Sequence, residues 1–278
     1  MFYKFNKPTG VYANKTVRSL QRELKASKIG HIGILDPLAE GLMIVATDFE
    51  TKLLQYIDNK SKTYIAKAKL HYSSETYDTD SELIFHNEEK ISLEQLINAV
   101  KYMKTTTSQL PPIWSAKKIS GKKAYEYARN DEQVILKEQS INIHKYEILN
   151  FDYDKQEAKF LISVSEGTYI RSLLVDTAKY LNIHCVMSEL KRIQVGKISL
   201  GNLQPNDYEL IPVEELINLK QIELSIQDKK YIQNGNAFYC KNDNGMYLLI
   251  NPANNLICAI GEIKDNIFQP KKVALERV

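Results

Sequence analysis

In the run "TYIAKAKLHY" at residues 63 to 72, Ala66, Ala68, Leu70 and Tyr72 alternate with Ile65, Lys67, Lys69 and His71. This two-residue period predicts a strand with one face in a core and a basic opposite face. "FLISVS", 160 to 165, reads as another strand, and after the turn at Gly167 "TYIRSLLVDTAKYL" brings Ile170, Leu173, Leu174, Ala178 and Leu181 onto one helical face. Val17, Leu20 and Leu24 predict a short basic helix ending near Lys28 to Gly30. Ser92 and Gln95 form a capping box ahead of Leu93, Leu96, Ile97, Val100 and Met103, the apolar stripe of an amphipathic helix.

The stretch "KIGHIGILDPLAEGLMIVA", 28 to 46, fits neither period. Its first half reads as a loop, and Asp36-Pro37 as a helix start, because Asp caps and Pro suits the first helical position. A carboxylate among Ile34, Leu35, Leu38 and Leu42 loses hydration unless a partner, a turn or a ligand compensates it. Pattern alone leaves Asp36 between a cap and a chemical group, and leaves His31, between two glycines and off any apolar helical face, between a structural and a ligand-facing histidine. Tyr64 is equally open, as a cross-strand core tyrosine or a functional one.

From about Asn206 the texture changes. A short helix, "PVEELINL", precedes "GMYLLI", a turn at Asn251 to Asn255 and "LICAIGEI", which read as hairpin strands. We therefore expect two units, 1 to 205 and a small β-rich one at 206 to 278.

At 278 residues and 44% hydrophobic content the chain can fill a core of that size. It contains no run of 18 apolar residues, and "MFYKFNKPTG" lacks the pattern of a secretory signal, so the expectation is a cytoplasmic protein away from membranes. Cys185, Cys240 and Cys258 form no CxxC pair, and the five histidines form no HxH or HExxH spacing, so neither a disulfide framework nor a metal is expected. The net charge of +3 is mild, but basic residues gather in Lys15, Arg18, Arg22, Lys25 and Lys28, in Lys117, Lys118, Lys122, Lys123 and Arg129, and in Lys191 and Arg192. Such clusters suit either solvated faces or a nucleic-acid surface. Arg171 falls in a helix's first turn, against the dipole, which is better explained if an anion faces it; Glu166 and Asp176 are the bland partners.

Taken in order, these segments resemble the TruB-type tRNA pseudouridine-55 synthases. The match rests on "NKPTG" (6 to 10), "GHIGILDPLAEGLM" (30 to 43) with "TK" at 51 and 52, "KTYIAK" (62 to 67) running into "SETYDTD" (74 to 80), "LPPIWSAKKISGKKAYEYAR" (110 to 129), "GTYIRSLLVD" (167 to 176) and "ELKRIQVG" (189 to 196). The resemblance implies an α+β fold, with a central, mainly antiparallel sheet flanked by helices and a PUA-like RNA-binding domain behind it. It implies isomerisation of the T-loop uridine of tRNA without a cofactor, by a monomer that grips the T-loop and stem. It matches Asp36 to the catalytic aspartate, Tyr64 to the tyrosine on the target base and Arg171 to the aspartate's partner. Asp78, His31, Leu190, Tyr169 and Lys7 fall at substrate-side or supporting positions of the family's motifs. An RNA-binding or tRNA-folding protein in which catalysis is secondary, and a hydrolase using Asp36 with His31, are the competing readings; the latter lacks an oxyanion motif.

Overall fold

The computed structural model describes residues 1 to 278. The strands β1 (Phe2–Lys7), β2 (Ile29–Ile32), β3 (Glu40–Thr47) and β4 (Lys62–Leu70) are followed by the short pair β5 (Tyr72–Ser73) and β6 (Ile84–Phe85). Two more short pairs come next: β7 (Ser108–Gln109) joins β10 (Gln139–Ser140), and β8 (Lys118–Ile119) joins β9 (Lys122–Lys123). After them run β11 (Ile143–Asp152), β12 (Glu157–Val164), β13 (Cys185–Val195), β14 (Ile198–Ser199) and β15 (Tyr208–Ile211). The principal helices are α1 (Ala13–Glu23), α2 (Leu93–Met103), the short α3 (Ala124–Arg129) and α4 (Ile170–Tyr180).

One nine-stranded sheet carries the order β11-β12-β4-β13-β3-β1-β15, with β2 on β3 and β14 on β13. Every pairing in it is antiparallel except β13 with β3. The alternation read in residues 63 to 72 is realised as far as Leu70, the end of β4: Tyr64, Ala66, Ala68 and Leu70 are buried, while Ile65, Lys67 and Lys69 are only partly covered. Beyond it a positive φ at His71 turns the chain, so His71 is buried and Tyr72 partly covered, the reverse of the expectation. The run "LMIVA" breaks that alternation for a physical reason. Met43 and Val45 face a core shared with Val17 and Leu20 of α1, Leu96 and Val100 of α2 and Leu173 and Leu174 of α4, whereas Leu42, Ile44 and Ala46 face a second core. A strand covered on both sides is apolar at every position.

The second core joins that reverse face to a five-stranded sheet. This sheet contains β16 (Lys220–Glu223), β17 (Phe238–Tyr239), β18 (Gly245–Asn251), β19 (Leu256–Lys264) and β20 (Ile267–Val273), in the order β16-β18-β19-β20-β17. Leu248, Ile250, Ile257 and Ile260 pack with Phe2, Leu42 and Ile44. Arg277 adds a fork onto Glu50, at 2.7 and 3.0 Å.

Three expectations need correction. No helix begins at Asp36-Pro37; residues 33 to 39 form a loop with a single Ala39 N–H to Asp36 carbonyl turn. The carbonyls a helix would use are taken by outside donors: Gly10 N–H and Lys7 Nζ on Pro37, Lys7 Nζ on Ala39, and Thr9 Oγ1 on Leu38. His31 lies on strand β2, opposite Val45, and not in a loop. The segment after 205 does not leave the first sheet at once, since β15 pairs with β1 and the chain departs only after Ile211. The strand is only four residues long, so periodicity carries little sign of this edge.

Candidate active site

The loop bearing Asp36 is clamped by two buried cations. Lys7, fully buried at 0% exposure, donates Nζ to the carbonyls of Pro8 (2.9 Å), Pro37 (3.2 Å) and Ala39 (2.6 Å). Arg192, likewise at 0%, donates Nε to Leu42 (2.6 Å) and Nη2 to Gly33 (2.8 Å). Arg192 is therefore not part of a solvated basic patch, and its cluster mate Lys191 is tied to Glu40 at 3.1 Å. Gly41 makes the arrangement possible: its φ is +106°, and a Cβ there would stand 2.3 Å from the Arg192 carbonyl, so the parallel contact of β3 with β13 admits glycine alone. Burial lowers the Lys7 ammonium to about 8, with Asp36 and Asp80 opposing the shift.

Held in this way, Asp36 places Oδ2 2.9 Å from Nη2 of Arg171. Arg171 is the second residue of α4, buried at 4% exposure, and every direction of its fork is used. Nη1 donates to the Thr76 carbonyl (2.7 Å), Nη2 to the Trp114 carbonyl (2.9 Å), and Nε faces Asp78 Oδ2 at 3.7 Å. The two bland partners of Arg171 are not used; Asp176 pairs with Lys179 instead. The anions opposite Arg171 thus answer the unfavourable helix position. Tyr169, the N-cap residue of α4, is fixed at its backbone by Gln109, whose Oε1 accepts from its N–H (2.9 Å) and whose Nε2 donates to its carbonyl (3.0 Å).

Asp36 differs in exposure from its supports. Its side chain is 35% exposed and so reachable, while those of Asp78 and Arg171 are 4%. Burial raises the Asp36 carboxyl above its ordinary range; Arg171 opposes this, Asp78 reinforces it, and the net direction is upward. Ionisation at this position is thus held back by desolvation in spite of the adjacent guanidinium. Asp80 is also raised, by burial and by Asp78, and its Oδ2 accepts from Leu38 N–H at 3.2 Å, adding a third clamp on the loop.

Tyr64 on β4 and Leu190 on β13 supply an apolar wall. The register pairs Leu190 with Ala66, two residues from Tyr64, so the two are diagonal neighbours on one face, in the same core as Leu35 and Ile170. His31 is half-buried; burial, aided by Arg192, lowers its imidazole below the ordinary value, and its Nδ1 is buried without a hydrogen-bond partner.

The residues expected at the site thus separate into two groups. Asp36 is the reachable group, Tyr169 and His31 are partly covered, and the Tyr64 and Leu190 wall is buried, at 6% and 7% exposure. Lys7 and Asp78, expected to touch substrate, are buried and act on the loop and on Arg171 respectively. Sequence reasoning missed Asp80, the Thr76 and Trp114 carbonyls and Arg192 as supports. Asp80 stands in a quoted block, but its partner is a backbone N–H 42 positions away, which no local pattern reports. A carboxylate of raised pKa beside a fixed guanidinium and an apolar wall suits proton transfer or nucleophilic attack on a planar, uncharged ring system.

Residues 21 to 170 match the TruB family pseudouridylate synthase N-terminal domain. The chain is 35% identical to tRNA pseudouridine synthase B of Mycoplasma mobile, over 100% of this chain and 96% of that one. It is 31% identical to the protein of the same name from Aquifex aeolicus, over 96% and 97% of the two chains. Among solved structures, a Cbf5-Nop10-Gar1 complex contains a chain sharing the fold with a TM-score of 0.64 at 19% identity, covering 99% of this chain and 86% of that one. The chain belongs to the TruB family of pseudouridylate synthases.

Proposed function

We propose that this pseudouridine synthase acts on the T-loop uridine at position 55 of tRNA, with Asp36 as the group that does the chemistry. The observation that carries this reading is the 2.9 Å pair of Asp36 with a buried Arg171, whose chain neighbours Leu35 and Ile170 belong to the core that holds Tyr64 and Leu190. A uridine stacked in a folded loop must be everted to reach such a place, and its lost stacking is replaced on Tyr64, where an aromatic contributes about 1 to 3 kcal/mol per base. His31, neutral and with Nδ1 unpartnered, supplies a hydrogen-bonding group to the everted nucleotide.

In the proposed sequence Asp36 takes the ribose C2′ proton as the N1–C1′ bond breaks, and the bond's electron pair leaves with N1 of uracil. The base turns, C5 attacks C1′ of the glycal, and the proton returns from Asp36 to C2′. The C5 proton then departs to solvent while N1 takes up one proton from solvent, so that substrate and product have the same composition and no redox partner is needed. The raised carboxyl of Asp36 suits a proton it must both accept and return.

The exposed residues Lys15, Arg18 and Arg22 on α1, with the group at Lys117 to Lys123, are assigned to the tRNA backbone. We read the five-stranded sheet as a PUA-like RNA-binding unit, and the working form as a cytoplasmic monomer. No helix is long and apolar enough to cross a membrane. Mapping pseudouridine in an unmodified tRNA transcript after incubation with the protein tests the reading. A single modified site at position 55, lost when that uridine is replaced by cytidine, is the expected result; modification elsewhere with position 55 untouched overturns it.

A further inference from the structure

Three of the five histidines, His71, His86 and His184, converge around Glu88, although they lie far apart in sequence. His71 lies between β4 and β5, His86 and Glu88 follow β6, and His184 immediately precedes β13. Glu88 Oε1 lies 2.5 Å from Nδ1 of His184, and Oε2 lies 3.0 Å from that residue's backbone N–H and 3.1 Å from Nδ1 of the buried His71. The rings of His86 and His184 stack at 3.7 Å and 8°. One ligand atom each from His86, Glu88 and His184 lies within 4.8 Å of the others.

We propose that His86, Glu88 and His184 form a binding site for one zinc ion, which staples the foot of the β5–β6 hairpin to the start of β13. Two imidazoles and a carboxylate are a donor set suited to zinc, with water completing the tetrahedron. The surrounding bonds already orient the ligands. His86 Nε2 is engaged by Ser73 Oγ at 2.8 Å, leaving Nδ1 for a metal. Glu88 is aimed by His71, whose Nε2 faces Gln156 Oε1 at 3.1 Å, an oxygen that also accepts from Ile91 N–H at 3.0 Å. These two contacts hold the His71 ring against Glu88, an outer support of the kind a metal-bound carboxylate takes. The ion takes the place of the hydrogen between His184 Nδ1 and Glu88 Oε1: Zn²⁺ enters, that hydrogen passes through solvent to His184 Nε2, and the two rings tilt from parallel so that their nitrogens converge. His184 is half-exposed, which gives the ion a path from solvent.

The staple reaches the candidate active site through the hairpin. Between β5 and β6 the chain carries Asp78, which faces Arg171, and Tyr77 and Thr79, which bond the backbone of Met187 on β13. A zinc ion at His86 and His184 fixes this segment at both ends. The cysteines offer no rival beyond the partly exposed Cys240, since Cys185 and Cys258 are buried.

Titration of the full chain with zinc chloride against a chromophoric competitor at about pH 7.5 tests the site. The expected result is one equivalent bound, weakening as pH falls because a protonated imidazole cannot ligate the ion. His86→Ala and His184→Ala should each weaken binding at least tenfold and abolish the rise in melting temperature that zinc gives the parent chain, while their circular dichroism matches the parent. Cys240→Ser should bind as the parent does. Absence of saturable binding, binding unchanged in both histidine variants, or binding lost in Cys240→Ser would overturn the proposal.

Discussion

The Arg171 guanidinium faces two carboxylates and two carbonyls at once, a convergence that only a planar fork of five donors can serve. Arg171→Lys loses at least two of these contacts and leaves Asp78 buried without a matched cation, a defect of about 3 to 5 kcal/mol. The variant should turn over at least 100-fold more slowly and melt several degrees lower, measured by single-turnover kinetics and calorimetry. Asp36 behaves in the opposite sense. Its carboxyl is raised in the fold, so the native state binds that proton more tightly than the unfolded chain does. The stabilisation is complete below the ordinary carboxylate value and is lost as pH rises through the folded one. Asp36→Asn, neutral throughout, should melt no lower than the parent at pH 7.5 and show a flatter stability profile from pH 4 upward. A clear drop in melting temperature at neutral pH would contradict that sign.

The elements differ in how openly they carry their roles. The strand at 63 to 72 and the helices at 93 to 103 and 170 to 180 were legible because one face of each is apolar at the proper period. The Asp36 loop was not, because its shape is set by Lys7, Arg192 and Asp80, whose side chains reach backbone atoms 30 to 159 residues away. Asp36, Arg171 and Tyr64 were found by their blocks, whereas the support roles of Lys7 and Asp78 appear only once burial is known. Lys7→Met, similar in length, removes the Nζ donor from the Ala39 carbonyl and leaves the Pro37 carbonyl to Gly10 N–H alone, and should lower kcat at least tenfold with little change in KM for tRNA. A selective rise in KM would instead make Lys7 a substrate contact. On α1 the buried residues Ala13, Thr16, Val17 and Leu20 leave Lys15, Arg18 and Arg22 outward. Replacing the three by Ala should weaken tRNA binding and reduce the salt slope by about 0.9 per lost phosphate contact, with single-turnover rates at saturating enzyme unchanged. An unaltered slope would make that helix an ordinary solvated face.

Across the whole molecule, the two sheets share a core. Leu42 and Ile44 on the reverse side of β3 are covered by Leu248, Ile257 and Ile260, and Glu50 is tied to Arg277. Burial raises the Glu50 carboxyl, but the Arg277 fork, with further local positive charge, brings it below its ordinary value. Its contribution is therefore present above that ordinary value and disappears as pH falls through the folded one. Removal of 212 to 278 uncovers a continuous apolar face, so the shortened chain should aggregate or melt well below the parent, and the full chain should unfold in one calorimetric transition. Two resolved transitions would contradict a shared core. That strand β3 serves both cores is visible in its unbroken apolar run; which second layer covers it is not, because the covering strands lie some 200 residues on.

The central claim is that Asp36 carries out the isomerisation at the site Arg171 organises. Release of tritium from tRNA labelled at C5 of uridine measures it most directly. The parent chain should release the label from one uridine per tRNA, while Asp36→Asn, binding the same tRNA with similar affinity, should release essentially none. Release by Asp36→Asn at the parental rate would contradict the account.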